Sequence, residues 1–279
     1  MTMAHLEGKY AVITGANTGI GRHTAIGLAE AGAHVTIAAR NLERTRPVLD
    51  EIAERFGADK VSFVALDLGS LESVRNAAAE ILATGKPIDL LINNAGLGGA
   101  RGQTKDGFEI HFGVNHLGHF LLTNLLLDRI KEADEARIIT VSSEAHYKGR
   151  IDFKAVEGPT PGRTGLPEYA NSKLANVLFS AELARRLKGT NIKTYALHPG
   201  VVATDIWRRV PGLFRPLIKM FMITPEQGAQ TTLHCALSAE AGETTGLYWD
   251  KSKVKTPSRL ARDEELAREL WERSEAWVR

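Results

Sequence analysis

Only one of the 279 residues is a cysteine, Cys235. That excludes an intrachain disulfide and any multi-cysteine metal cluster, and it fits a reducing compartment. Proline is scarce, at 10 residues, and the 26 glycines follow no fixed period, so collagen-like and proline-rich chains are excluded. Neither sign of charge dominates: 35 basic residues face 33 acidic ones, and a net charge of +2 gives no argument for nucleic acid. A long hydrophobic run is also missing. The most apolar helical stretch, His119 to Leu127, is broken by Thr123 and Asn124 and falls well short of the ~18 apolar residues of a spanning helix. The polar N-terminus, interrupted by Gly8, has no apolar stretch of signal-peptide type. A cytoplasmic protein without a transmembrane segment is expected. No G-x-S-x-G motif is present, which argues against an α/β-hydrolase.

What is present suffices for a large core: 43% of residues are apolar and 24% charged. Short β-branched runs alternate with helical patterns. Strands are expected at Tyr10–Thr14, His34–Ala39, Val61–Leu66, Ile88–Ile92, Ile138–Ser142 and Lys193–Leu197. The runs are apolar on consecutive residues, as in strands covered on both faces. Alternation with helices, such as Leu42–Phe56, means βαβ units and a doubly wound parallel α/β sheet. No linker or internal repeat interrupts the pattern, so residues 1–279 are expected to form a single domain. Three segments depart from it: the long helical pattern Phe108–Ala133, the Gly/Pro-rich loop His146–Gly165, and an insertion at about 205–224. All follow strand ends, where ligands of such sheets lie.

Thr14-Gly15-Ala16-Asn17-Thr18-Gly19-Ile20-Gly21 directly follows the first strand and opens a helix. Glycines there allow a tight turn and bring a pyrophosphate close to the free N–H groups of the helix N-terminus. About 20 residues on, where a carboxylate would hold a ribose 2′-hydroxyl, stands Arg40. An arginine can clamp a 2′-phosphate, and Arg44 lies one turn further, so NADP(H) is expected over NAD. Asp67, at the third strand end, is placed to accept from the adenine amino group; alternatively it caps the helix near Ser70.

Tyr169 and Lys173 share one helix face at i,i+4 spacing. Bringing a tyrosine ~3 units down toward neutrality takes ~4 kcal/mol of differential stabilisation, which a neighbouring ammonium in a desolvated site can supply. Alone, Y-x-x-x-K is a chance pattern. Here Ser142 and Ser143 end a strand over the same sheet edge, and a serine hydroxyl there could bond a substrate carbonyl. Asn93-Asn94-Ala95-Gly96 ends the fourth strand with room for a cofactor. Asn115 sits mid-helix against its propensity. Pro199-Gly200-Val201-Val202-Ala203-Thr204 ends another strand and can bond a nicotinamide carboxamide.

Taken together these stretches resemble the short-chain dehydrogenase/reductase family along essentially the whole chain. Val114-Asn115-His116-Leu117-Gly118-His119-Phe120, Ser172-Lys173-Leu174-Ala175-Asn176 and His198-Pro199-Gly200-Val201-Val202 look most like its retinol dehydrogenase group, including soluble bacterial relatives. The resemblance implies a Rossmann-like sheet of seven parallel strands with helices on both faces. It also implies a tetrad of Asn115, Ser143, Tyr169 and Lys173. Tyr169 would be the acid/base and Ser143 would orient the carbonyl. Lys173 would lower the tyrosine pKa and hold the nicotinamide ribose, and Asn115 would position a water. The cofactor would meet Gly15, Asn17, Thr18, Gly19, Ile20, Gly21, Arg40, Asp67, Leu68, Asn94, Ala95, Gly96, Tyr169, Lys173, Pro199, Gly200, Val202 and Thr204. The expected activity is NADP(H)-dependent interconversion of a lipophilic aldehyde or ketone and its alcohol. The rivals are an NADP-sensing regulator without turnover and a reductase of a carbon–carbon double bond.

His111, His116 and His119 cluster on one helix, but no convergent carboxylate is evident and the chemistry needs no metal, so structural histidines are expected. Cys235 lies in an apolar helical stretch and reads as an inert buried thiol. Trp207, Leu213, Phe214, Leu217, Met220 and Phe221, interleaved with basic residues, read as a substrate lid at about 205–224. The alternative is a pair of short helices packed on the core. An amphipathic helix is expected at about 262–278. The partner is a small molecule and not nucleic acid; a peripheral membrane contact and a homo-oligomer are left open.

Overall fold

The computed structural model describes residues 5–200 and 223–279. Eight strands form one sheet in the order β3-β2-β1-β4-β5-β6-β7-β8. They are β1 (Tyr10–Thr14), β2 (His34–Ala39), β3 (Val61–Ala65), β4 (Leu90–Asn93), β5 (Ala136–Val141), β6 (Ile192–His198), β7 (Leu247–Asp250) and β8 (Lys253–Val254). The first seven pair in parallel, as expected, and β8 adds an antiparallel edge strand to β7. The main helices are α1 (Gly19–Glu30), α2 (Leu42–Phe56), α3 (Leu71–Ala83), α4 (Gly118–Lys131), α5 (Leu166–Arg186), α6 (Pro225–Leu237) and α7 (Glu264–Trp277).

Alternate strand side chains feed two cores, because successive residues of a strand point to opposite faces. Tyr10, Val12, Leu91 and Ile138 pack with Val74 of α3, Phe120 of α4, Leu174 and Phe179 of α5, and Trp271 of α7. Ala11, Ile13, Val35 and Ile37 pack on the other face with Leu28 of α1, Ile52 of α2 and Cys235 of α6. Cys235 is fully buried, and burial pushes its thiol far above the ordinary range, as an inert packing residue should behave.

The strand order reverses between β1 and β4, the topological switch point at which ligands of such sheets bind. The helical pattern from Phe108 is not continuous. A single α-turn at Ile110–Phe112 is followed by a π turn at Gly113–Leu117 and only then by α4. The loop after β5 opens with a 3₁₀ turn at Glu144–Lys148. Of the 205–224 insertion, all but its last two positions, 223 and 224, lie outside the described residues, as do Val202 and Thr204; Thr224 caps α6 in a box with Gln227.

Candidate active site

The glycine turn after β1 fits the cradle expected of it. Gly15 has φ +67°, and a Cβ there would stand 2.7 Å from the Cβ of Ala95. At Gly21 a Cβ would meet Asn94 Nδ2 at 2.5 Å and the Gly15 carbonyl at 2.6 Å. Only glycine lets these backbones approach so closely. Helices α2, α3, α6 and α7 begin with side-chain caps from Asn41, Ser70, Thr224 and Asp263. In contrast, the Thr18 side chain makes no cap bond to α1 and no acid lies in the first turn of that helix, whereas α5, also uncapped, carries Glu168 in its first turn. The opening amides of α1 are therefore left for an anion, and the residues present fit a dinucleotide pyrophosphate.

Asn94 braces this turn: its Nδ2 donates to the carbonyls of Thr14 (2.7 Å) and Gly15 (3.3 Å). The Thr14 hydroxyl accepts the N–H groups of Asn94 (3.0 Å) and Ala95 (2.9 Å). With its lone pairs so used, it donates to His119 Nε2 at 2.8 Å. His119 is thereby the Nδ1–H tautomer and donates to the Asn115 carbonyl at 3.0 Å. Burial pushes the His119 imidazole down to about 4, so it is neutral at pH 7. Sequence reading missed this bridge between the glycine turn and Asn115.

Asn115 is fully buried in the π turn. Its Oδ1 accepts from Leu97 N (2.9 Å), and its Nδ2 donates to Leu97 O (3.0 Å) and Ser172 Oγ (2.9 Å). It thus locks the chain after β4 onto α5. The two serines after β5 divide their roles. Ser142 donates to the Lys173 carbonyl at 2.7 Å, whereas Ser143 caps the following 3₁₀ turn and its hydroxyl favours ionisation of the Tyr169 phenol. Lys173 is buried, donates to the Val141 carbonyl at 3.0 Å, and lies 5.7 Å from the centre of the Tyr169 ring. Burial lowers the Lys173 ammonium to about 8. Burial raises the Tyr169 phenol above its usual value, while the Ser143 hydrogen bond works to lower it. A catalytic lowering therefore requires added positive charge beside the phenol.

At the far end of the cradle, Arg40 is exposed directly after β2, and Arg44 lies on the first turn of α2. Neither guanidinium has a partner among the described residues, whereas Arg22, Arg46 and Arg55 pair with Glu51 or Glu43. Asp67 does not cap α3, which Ser70 does; its Oδ1 accepts the Gly69 N–H at 3.1 Å. The three histidines diverge. His116 bonds Ser274 of α7 at 3.0 Å, and His111 bonds Glu109 at 2.8 Å.

A tyrosine–lysine pair, a serine and an asparagine thus gather at the carboxyl edge of a doubly wound sheet, beside a glycine cradle. The chain belongs to the short chain dehydrogenase family, whose model matches residues 9–211. It is 46% identical to human retinol dehydrogenase 11 over 96% of this chain and 85% of that protein. Among solved structures it is similar to an uncharacterized protein from Mycobacterium paratuberculosis, with 34% identity and a TM-score of 0.82, covering 99% of this chain and 95% of that one. It is also similar to the 3-ketoacyl-(acyl-carrier-protein) reductase of Brucella melitensis, solved with NADH, at 30% identity and a TM-score of 0.69 over 88% and 97% of the two chains. The protein is an oxidoreductase of this family.

Proposed function

We propose that the protein is an NADP(H)-dependent oxidoreductase that interconverts a lipophilic aldehyde or ketone and its alcohol. The observation that carries this reading is Lys173, buried beneath Tyr169 and next to the Ser143 strand end, with its ammonium already weakened to about 8. Keeping a lysine there is costly, so a job for its charge is the economical explanation.

The bound nicotinamide supplies the hydride for reduction, or accepts it in oxidation. In reduction, Ser143 donates a hydrogen bond to the substrate oxygen and fixes its position. The Tyr169 hydroxyl gives its proton to that oxygen as the carbonyl carbon gains the hydride, and the phenolate left behind is stabilised by the Lys173 ammonium. Asn115 keeps the Leu97 backbone and Ser172 in place, so that α5 presents Tyr169 and Lys173 at a fixed height. Gly96, over which Lys173 Nζ and Asn115 Oδ1 lie, leaves room for the nicotinamide ribose. Arg40 and Arg44, whose guanidinium groups have no partner among the described residues, favour a 2′-phosphate over a bare ribose hydroxyl. Support for a lipophilic substrate comes from the large apolar side chains of residues 207–221, among them Trp207, Phe214 and Phe221, and from the likeness to a retinol dehydrogenase.

The test is oxidation of NADPH, with NADH in parallel, against aldehydes, ketones and retinoids of graded apolar length. Wild type should prefer NADPH, and kcat/KM should rise with chain length. Tyr169→Phe should lower kcat ~10²–10⁴-fold while NADPH still binds. Full turnover by the folded Phe variant removes Tyr169 from the acid/base role.

A further inference from the structure

Two segments meet beside Tyr169: residues 97–109, after β4, and residues 156–165, leading into α5. They are zipped together around one buried carboxylate. Glu109 is 2% exposed and its partner His111 is 0% exposed. Glu109 Oε2 accepts the N–H groups of His111 and Phe112, both at 2.9 Å. Its Oε1 accepts from His111 Nδ1 at 2.8 Å and from the Thr160 hydroxyl at 2.6 Å. Thr160 in turn accepts the Gly102 N–H at 3.1 Å, and the Thr160 N–H donates to Gly102 O at 3.0 Å. Burial alone would raise the carboxyl pKa; the hydrogen bonds from His111, Thr160 and Phe112 outweigh it and hold the group ionised.

The tautomer of His111 follows from its neighbours. Ala100 N–H points at His111 Nε2 at 3.3 Å, so Nε2 is the acceptor and Nδ1–H faces the carboxylate. The imidazole stands edge-on to the Tyr169 ring, with centroids 6.2 Å apart and planes at 71°. On its other side, a Cβ at Gly165 would lie 2.9 Å from His111 Cε1 and 2.3 Å from the Ala100 carbonyl. None of these groups enters the proton-transfer scheme above.

We propose that Glu109 and His111 are positioning residues for the carbonyl substrate: the carboxylate clasps the 97–109 and 156–165 segments together, and the imidazole it fixes forms the wall against which the Tyr169 ring stands. This deepens the proposed function and rests on it. The clasp acts on where the carbonyl sits, not on the nucleotide, whose cradle is built from β1, β2, α1 and the Asn94–Gly96 turn that precedes the clasped segment.

Glu109→Gln tests it. The amide oxygen can keep the two backbone N–H bonds, but its NH₂ then faces Nδ1 and forces the other tautomer, with Nε2–H pointing at Ala100 N–H. The clasp opens there. Exposed Arg101 and Arg163 lie on the two segments and give a readout that needs no substrate. Trypsin should cut after them about tenfold faster in the ligand-free variant. With NADPH and the best aldehyde of the panel, KM for the aldehyde should rise about tenfold while kcat changes much less and NADPH affinity stays as in wild type. Thr160→Val should show a weaker form of the same pattern, and Thr160→Ser should restore it; these serve if the Gln variant does not fold. Unchanged proteolysis, or a loss of NADPH affinity equal to the loss in KM, overturns the proposal. Wild type without any carbonyl turnover overturns the proposed function instead, and this inference with it, even if the trypsin pattern holds.

Discussion

At the scale of single residues, the proposed site holds a group that costs stability. Lys173 has its folded pKa near 8 against an ordinary 10.5, so below pH 8 the folded protein carries a buried ammonium at a cost. Between about 8 and 10.5 the unfolded chain binds more protons than the folded one, so this contribution to stability rises with pH through that window. Lys173→Met should therefore stabilise the ligand-free protein at pH 7, by up to about 3 kcal/mol, and the gain should fade by pH 10. The Val141 carbonyl stays satisfied in that variant, because Asn176 Nδ2 also donates to it at 3.1 Å. Melting curves of both proteins at the two pH values check this, and a variant less stable at pH 7 contradicts it. At the other end of the cradle, Arg40→Asp should reverse cofactor preference toward NADH, read as the ratio of kcat/KM for the two nucleotides. Asn115, Ser143, Tyr169 and Lys173 stand out as candidates in the sequence only because the stretches around them jointly resemble one family pattern. His119 and Glu109 do not, since their deciding partners, Thr14 and Thr160, lie 105 and 51 residues away.

At the scale of elements, the π turn before α4 shows why local periodicity misleads. Residues 108–133 read as one helix because apolar side chains recur at helical spacing. The backbone is instead drawn out of register by tertiary demands. Asn115 must reach Leu97 and Ser172, and Gly118 packs so tightly that a Cβ would lie 2.7 Å from the Leu68 carbonyl. The same turn buries His116 among Phe112, Phe120 and Phe179 and ties it to Ser274 of α7. Burial pushes His116 down to about 3, so it is neutral in the folded protein. Below the unfolded value of about 6.5 the unfolded chain gains a proton that the folded one refuses, and stability falls with acidification until about pH 3. His116→Phe should flatten that fall: between pH 7 and 4.5 its urea midpoint should drop less than that of wild type. An equal drop in both proteins removes His116 as a source of acid sensitivity.

At the scale of the whole molecule, the parallel sheet was legible because each inner strand is a short apolar run followed by a helix. β7 was not marked as a strand by its sequence, and β8 escaped notice for a definite reason. The hairpin joining them turns through Lys251 and Ser252, at φ +51° and +57°, with neither glycine nor asparagine to announce it. The bare first turn of α1 has a further consequence, for the choice of medium. Amides open to one oxyanion do not distinguish sharply among oxyanions, and among the described residues no side chain caps them. Inorganic phosphate and sulfate are therefore weak rivals of the nucleotide. The apparent KM for NADPH should be higher in phosphate buffer than in a zwitterionic amine buffer at equal ionic strength, with kcat unchanged, and more nucleotide should restore the rate. Kinetic constants of this protein then carry the identity of the buffer salt as a hidden variable.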